Sequence, residues 1–185
     1  MSKELENYVN DKLSNELNVI RSSNRSLYEK NLTNYEKAVI YKYSNDGFEQ
    51  LNEDLREGKA NPQLGVFLDI CLEKLPDYEG ICYRAIKCSK SSLERYYTAF
   101  EKGLLVHEKT FLSCSKSKLL ALYFSESPLF IISSKSGKSI ENIAKFGIES
   151  GGQNEQEILF RLNSKFKVLD ITEQDNKIII KLEQV

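Results

Sequence analysis

A chain of 185 residues with 41% hydrophobic residues can bury one ordinary core, and its 26 basic and 27 acidic residues leave a formal charge of -1. That balance excludes a protein steered as a whole onto nucleic acid or an anionic membrane, and the lack of low-complexity tracts excludes wholesale disorder. A single histidine, His107, excludes Ser-His-Asp and Cys-His catalysis and zinc sites built on several imidazoles; Cys71, Cys82, Cys88 and Cys114 contain no CxxC pair and read as buried, reduced thiols.

The first half of the chain reads as helices. Residues 3–20 are amphipathic and highly charged, forming the core of a helical extension over 1–30 that reads as a solvated helix or an accessory contact surface. After a Ser/Asn-rich break at 22–26, Tyr35, Val39 and Tyr43 mark one helical face, and Phe48, Leu51 and Leu55 another. Asn61 as N-cap with Pro62 at the first helical position opens a core-facing helix through Leu64, Phe67, Leu68, Cys71, Leu72 and Leu75, which Pro76 stops.

From Gly80 the period changes. Residues 81–86 form a buried strand, Ser91 with Glu94 makes a capping box for a helix that Gly103 closes, and strands follow at 110–112, 129–133, 157–162, 166–171 and 177–182. A short helix from Lys116 to about Tyr123 is capped by Ser115, and residues 133–138 read as a turn. Helices first and strands later predict an α+β fold in a single domain spanning 1–185.

Three short segments can carry chemistry. Arg84 lies inside an apolar strand, where a guanidinium must find an anion, either a structural carboxylate or a bound phosphate. Ser113 and Ser115 sit at a strand-to-helix junction; Ser115 reads as a helix cap, while the Ser113 hydroxyl is free to orient a neighbour. Glu155 and Glu157 are two apart, so in extended chain both leave on one face, roughly 6–7 Å from each other. They are either two solvated acids on a strand edge or a pair suited to glycosidic-bond chemistry.

Taken together, Tyr83-Arg84, then Ser113 in Phe-x-Ser-x-Ser 29 positions on, then Glu157 in Glu-x-Glu a further 44 on, resemble the Arg-Ser-Glu class of mono-ADP-ribosyltransferases, which includes vertebrate ecto-enzymes and arginine-modifying bacterial toxins. Residues 72–80 and 48–56, and Phe124 eleven residues after Ser113, match the same pattern, and the resemblance spans about 35–172. It implies two small, roughly perpendicular sheets around an NAD cleft with N-terminal helices on one side. The activity implied is transfer of ADP-ribose from NAD to an arginine of a protein, with nicotinamide released and no metal required; the alternatives are an NAD glycohydrolase of the same fold or a non-catalytic binding module.

By that resemblance Arg84 binds the NAD phosphates, the main chain at Ala85 meets the nicotinamide carboxamide, Ser113 holds Glu157 and the ribose, and Phe124 packs on the nicotinamide. Glu157 would stabilise the oxocarbenium-like ribose and Glu155 would position and deprotonate the acceptor arginine. The middle of Ser-x-Ser is Cys114 where the family has Thr, and Ala85 stands where Gly is frequent. The N-terminus lacks the apolar run of a signal peptide and no stretch is long enough to span a membrane, which predicts a soluble protein, cytosolic or delivered into another cell.

Overall fold

The computed structural model describes residues 2–59, 62–174 and 177–185. They fall into two compact units, one comprising the residues up to Pro76 with Lys138–Glu157, the other Asp77–Gly137 with Ile158–Val185.

In the first unit, α1 (Ser2–Lys12) and α2 (Ser14–Arg21) replace the single predicted N-terminal helix, with Leu13 at the break. Leu5, Val9, Leu13, Leu17 and Ile20 recur at helical spacing and all are buried, so this segment is core rather than a solvated appendage. A 3-10 turn, Asn24–Leu27, leads to α3 (Asn34–Lys42), whose start is a complete capping box: Thr33 Oγ1 accepts from Glu36 N and Glu36 Oε2 accepts from Thr33 N. A π turn at Tyr43–Gly47 joins α3 to α4 (Phe48–Arg56). The predicted cap Asn61 lies outside the described residues; Pro62 occupies the N-cap position of α5 (Gln63–Glu73) instead of its first turn. Phe67, Leu68, Cys71 and Leu72 of α5 are buried as the spacing requires.

The strands, which belong to the second unit except for Lys138, Ser139 and Glu157, are β1 (Asp77–Ala85), β2 (Leu105–Glu108), β3 (Leu112–Ser115), β4 (Leu129–Ser139), β5 (Glu157–Phe160), β6 (Ser164–Gln174) and β7 (Lys177–Gln184). Hydrogen bonds link them in the order β1-β3-β5-β4-β7-β6-β2, with a further β1–β4 pairing that makes the array branch at β4. Helix α6 (Lys90–Lys102) ends at Gly103 in the left-handed region, as predicted, but it is opened by Ser89, whose side chain accepts from Ser92 N; the expected Ser91/Glu94 box is displaced by this earlier cap. The core is built from Cys82, Phe130, Ile132, Ile158, Phe160, Phe166, Ile180 and neighbours, with Phe160 and Phe166 edge to face at 5.2 Å.

Three local expectations are corrected. Residues 110–112 are not a strand: Thr110 is in a bend and β3 starts at Leu112. Residues 133–138 are not a turn but the continuation of β4, held by Gln184, whose Oε1 accepts from the amides of Lys135 and Ser136. Ser115 belongs to β3, and the cap of α7 (Lys118–Phe124) is Ser117, which accepts from Leu120 N; Ser115 Oγ accepts from Ser117 N two residues on. All four cysteines are free thiols and three are buried. Among the described residues no helix is long and apolar enough to cross a membrane.

Candidate active site

The antiparallel register of β1 and β3 sets Tyr83 opposite Ser115 and hence Arg84 opposite Cys114, one position from Ser113. Arg84 Nη1 donates to the Ser113 carbonyl oxygen at 2.6 Å. Its Nε is buried and has no hydrogen-bond partner among the described residues. An unmet buried N–H on a cation is costly, and a guanidinium is a planar fork suited to two oxygens of one anion. The Arg84 side chain is thus oriented by the sheet and left with donor capacity for a phosphate. Ser113 is half-buried, its backbone committed to Arg84 while its hydroxyl makes no hydrogen bond among the described residues.

Ala85 closes β1 and is buried. Phe124 is the last residue of α7 and is 60% exposed, its ring edge to face with Tyr123 at 6.1 Å. An aromatic face left open in this way can receive a flat cationic ring. Leu119 and Tyr123, one turn apart on the same helix, are exposed as well.

In the first unit, Glu157 is the first residue of β5 and is buried; its carbonyl accepts from Ile140 N at 3.1 Å. Glu155 is half-buried, and its amide donates to Phe146 O at 2.8 Å. Burial pushes the Glu155 carboxyl above the ordinary carboxylate range, because removing the charge from water favours the neutral form. The two acids do not lie on one extended stretch. Gln156 between them has φ +51°, and its amide donates to Asn154 Oδ1 at 2.8 Å, so an Asx turn bends the chain and only Glu157 enters the strand. The same-face geometry expected of Glu155 and Glu157 therefore gives way to a kinked one.

Residues 140–156, which carry Glu155, contain no helix or strand. Asn154 Nδ2 donates to Glu141 Oε1 at 2.7 Å, Lys145 N to Ser44 Oγ at 2.9 Å, and Arg25 places its guanidinium against this segment. Nothing in the sequence singled out Arg25 or Asn154. Arg25 sits in a polar stretch that reads as solvent-exposed, and no periodicity singles it out.

Solved structures that align with this chain include ADP-ribosyltransferases. Exoenzyme S of Pseudomonas aeruginosa aligns with a TM-score of 0.77 at 18% identity, over 99% of this chain and 88% of that one. The Vis toxin of Vibrio splendidus aligns at 0.66 and 25% identity, over 97% and 86%. The chain therefore has the ADP-ribosyltransferase fold, as the resemblance of its motifs implied. The sequence model of the NAD:arginine ADP-ribosyltransferase family matches residues 5–185, and the chain belongs to that family. Among curated relatives, Mav of Mycobacterium avium (strain 104), which carries the name of an NAD(+)–arginine ADP-ribosyltransferase, is 31% identical over 140 residues, 73% of this chain. Tre1 of Serratia proteamaculans (strain 568), an NAD(+)–protein-arginine ADP-ribosyltransferase, is 30% identical over 149 residues, 78% of this chain. The matches span 16% of Mav and 30% of Tre1, so this chain corresponds to a minor part of each.

Proposed function

We propose that the protein transfers ADP-ribose from NAD to the guanidinium of an arginine on another protein, releasing nicotinamide. The observation that carries this reading is the Arg84–Ser113 pairing: a guanidinium tied at 2.6 Å to the strand that bears the motif serine, with a buried Nε still lacking a partner. Membership of the arginine-specific family supports it, as does the carba-NAD bound in the exoenzyme S structure.

In this reading Arg84 binds the pyrophosphate and neutralises its charge. The Ala85 main chain and the open face of Phe124 hold the nicotinamide, and the Ser113 hydroxyl steadies the ribose. Cleavage of the nicotinamide–ribose bond builds positive charge on the sugar, and Glu157, whose side chain is buried, stabilises it. Glu155 then takes the proton from the acceptor guanidinium. A carboxylate whose pKa is raised by burial is a stronger base than a solvated one, which suits it to so weak an acid. No step requires a metal. The whole of residues 1–185 acts as one transferase domain, with an arginine-bearing protein as acceptor and delivery into another cell as its setting.

The test is NAD turnover with agmatine, which is bound in a Vis structure, as acceptor, following nicotinamide and the agmatine adduct separately. Adduct formation by the wild type, abolished in Glu157→Ala, with residual NAD cleavage in Glu155→Gln, is the expected result. Nicotinamide release with no adduct would make the protein an NAD glycohydrolase.

A further inference from the structure

A segment without helix or strand keeps one geometry only if its amides and carbonyls find fixed partners. In residues 140–156 several amides bond to carbonyls of the same segment, and the carbonyls of Ile143, Ala144 and Lys145 find their partner in the N-terminal part of the same unit. Arg25, 7% exposed, donates from Nε to the carbonyls of Ile143 at 3.0 Å and Ala144 at 3.3 Å, and from Nη2 to Ala144 at 3.2 Å and Lys145 at 3.4 Å. Its Nη1 pairs with Glu149 Oε2 at 3.1 Å, and the guanidinium lies over the Tyr41 ring with Cζ 5.3 Å from the centroid.

The turn that carries Arg25 is itself fastened, because the buried Lys37 of α3 donates to Ser26 O at 2.8 Å. A second tie runs from Asn142 Nδ2 to Glu29 Oε1 at 2.8 Å. From the clamped carbonyls the connection passes directly to the acid, since Phe146, the neighbour of Lys145, accepts the Glu155 amide, and Glu141 accepts from Asn154.

Burying a cation is a poor way to gain stability compared with an apolar side chain of the same volume. What a planar fork on successive carbonyls does supply is orientation of the backbone. We propose that Arg25 is a positioning residue for the acceptor step: it holds the turn of residues 141–149 so that Glu155 stands where it can take the acceptor's proton. The N-terminal helices thereby set the balance between transfer to arginine and loss of ADP-ribose to water. The inference rests on the role given to Glu155 above.

The experiment compares the full chain with Arg25→Met and Arg25→Lys, each assayed well below its own melting temperature. The agmatine adduct and acceptor-free nicotinamide release are measured separately, and native-state hydrogen exchange is followed over residues 141–155. Arg25→Met is expected to lose adduct formation by about tenfold or more while nicotinamide release and the KM for NAD change less than about threefold. Arg25→Lys, which keeps the charge but not the fork, recovers only part of the transfer. Amides of the segment exchange faster in both, and adding Glu155→Gln to Arg25→Met costs little more transfer than Glu155→Gln alone.

Equal loss of transfer and cleavage, or an unchanged ratio with the segment as protected as in the wild type, would overturn the inference. If the Arg25 variants do not fold, Asn142→Ala and Glu149→Gln, which loosen the same turn from its surface, must shift the ratio in the same direction, and a wild-type ratio in both overturns it. A wild type that forms no adduct overturns instead the reading of Glu155, and hydrogen exchange still decides whether Arg25 orders the turn.

Discussion

Gly147→Ala tests the packing of the segment that carries Glu155. A Cβ at Gly147 would be driven into the carbonyl oxygen of Glu141, well inside van der Waals contact, and would sit 3.1 Å from Ala144 O. Both obstacles are backbone, so neither can swing away as a side-chain tip would. Displacing Glu141 also breaks the hydrogen bond its carbonyl accepts from Ile148 N at 3.1 Å. Overpacking costs about 1–3 kcal/mol and the lost bond about 1 kcal/mol. The reduced freedom of the unfolded chain returns about 0.5–1 kcal/mol, because Gly147 is not in the left-handed region and alanine adds no backbone strain of its own. The net destabilisation is about 1–3.5 kcal/mol, which in a chain of this length lowers the melting temperature by about 2–14 °C. Thermal unfolding followed by circular dichroism reads the first effect. The second is chemical: since Phe146 O holds the Glu155 amide, transfer to agmatine falls more than nicotinamide release. A variant within about 0.5 kcal/mol of the wild type and with the same product ratio would refute the packing argument.

Arg84→Lys keeps the charge but cannot serve both the Ser113 carbonyl and a phosphate, so the KM for NAD should rise about tenfold or more, about 1.4 kcal/mol for each factor of ten. Unaltered NAD binding, measured by calorimetry, would remove Arg84 from the phosphate site. Phe124→Ala should raise the KM for NAD several-fold at an unchanged melting temperature, since the ring is 60% exposed and little core is lost; a matching drop in stability would mean the ring is structural. The Glu155 carboxyl has its pKa raised by folding, so its contribution to stability is fully present below the unfolded value of 4.5 and is lost as pH rises through the folded value. Glu155→Gln should accordingly be more stable than the wild type at pH 7 and lose that advantage near pH 4, which denaturant titrations at the two pH values decide. Glu36 behaves oppositely. Burial raises its pKa, but the Lys74 and Thr33 hydrogen bonds outweigh burial and the net shift is downward, so its stabilisation is present above 4.5 and is lost as pH falls through the folded value. Glu36→Ala should cost about 1–2 kcal/mol at pH 7 and less at pH 3.

Local pattern sufficed where the chemistry is local. The apolar spacing of 64–75 and the left-handed Gly103 follow from side-chain type and separation, and the α+β order with the family resemblance of the Arg84, Ser113 and Glu157 motifs led directly to the fold. Helix starts were less legible, because Ser89, Ser91, Ser115 and Ser117 are all competent caps. Which one accepts the first-turn amide depends on where the preceding strand releases the chain.

By itself, then, the sequence determined which charged, hydroxyl and aromatic groups stand at the family's spacings and in what order, since those spacings are properties of the chain alone. Only the tertiary structure decided how those groups are held. Residues 133–138 become strand because Gln184, far along the chain, accepts their amides; the Glu155–Glu157 stretch is bent because Asn154 captures the amide of Gln156; and the highly charged N-terminus turns its Leu, Val and Ile inward. Arg25 is the clearest case, a cation in a polar break whose partners lie more than a hundred positions away, a distance over which no periodicity or local propensity carries information.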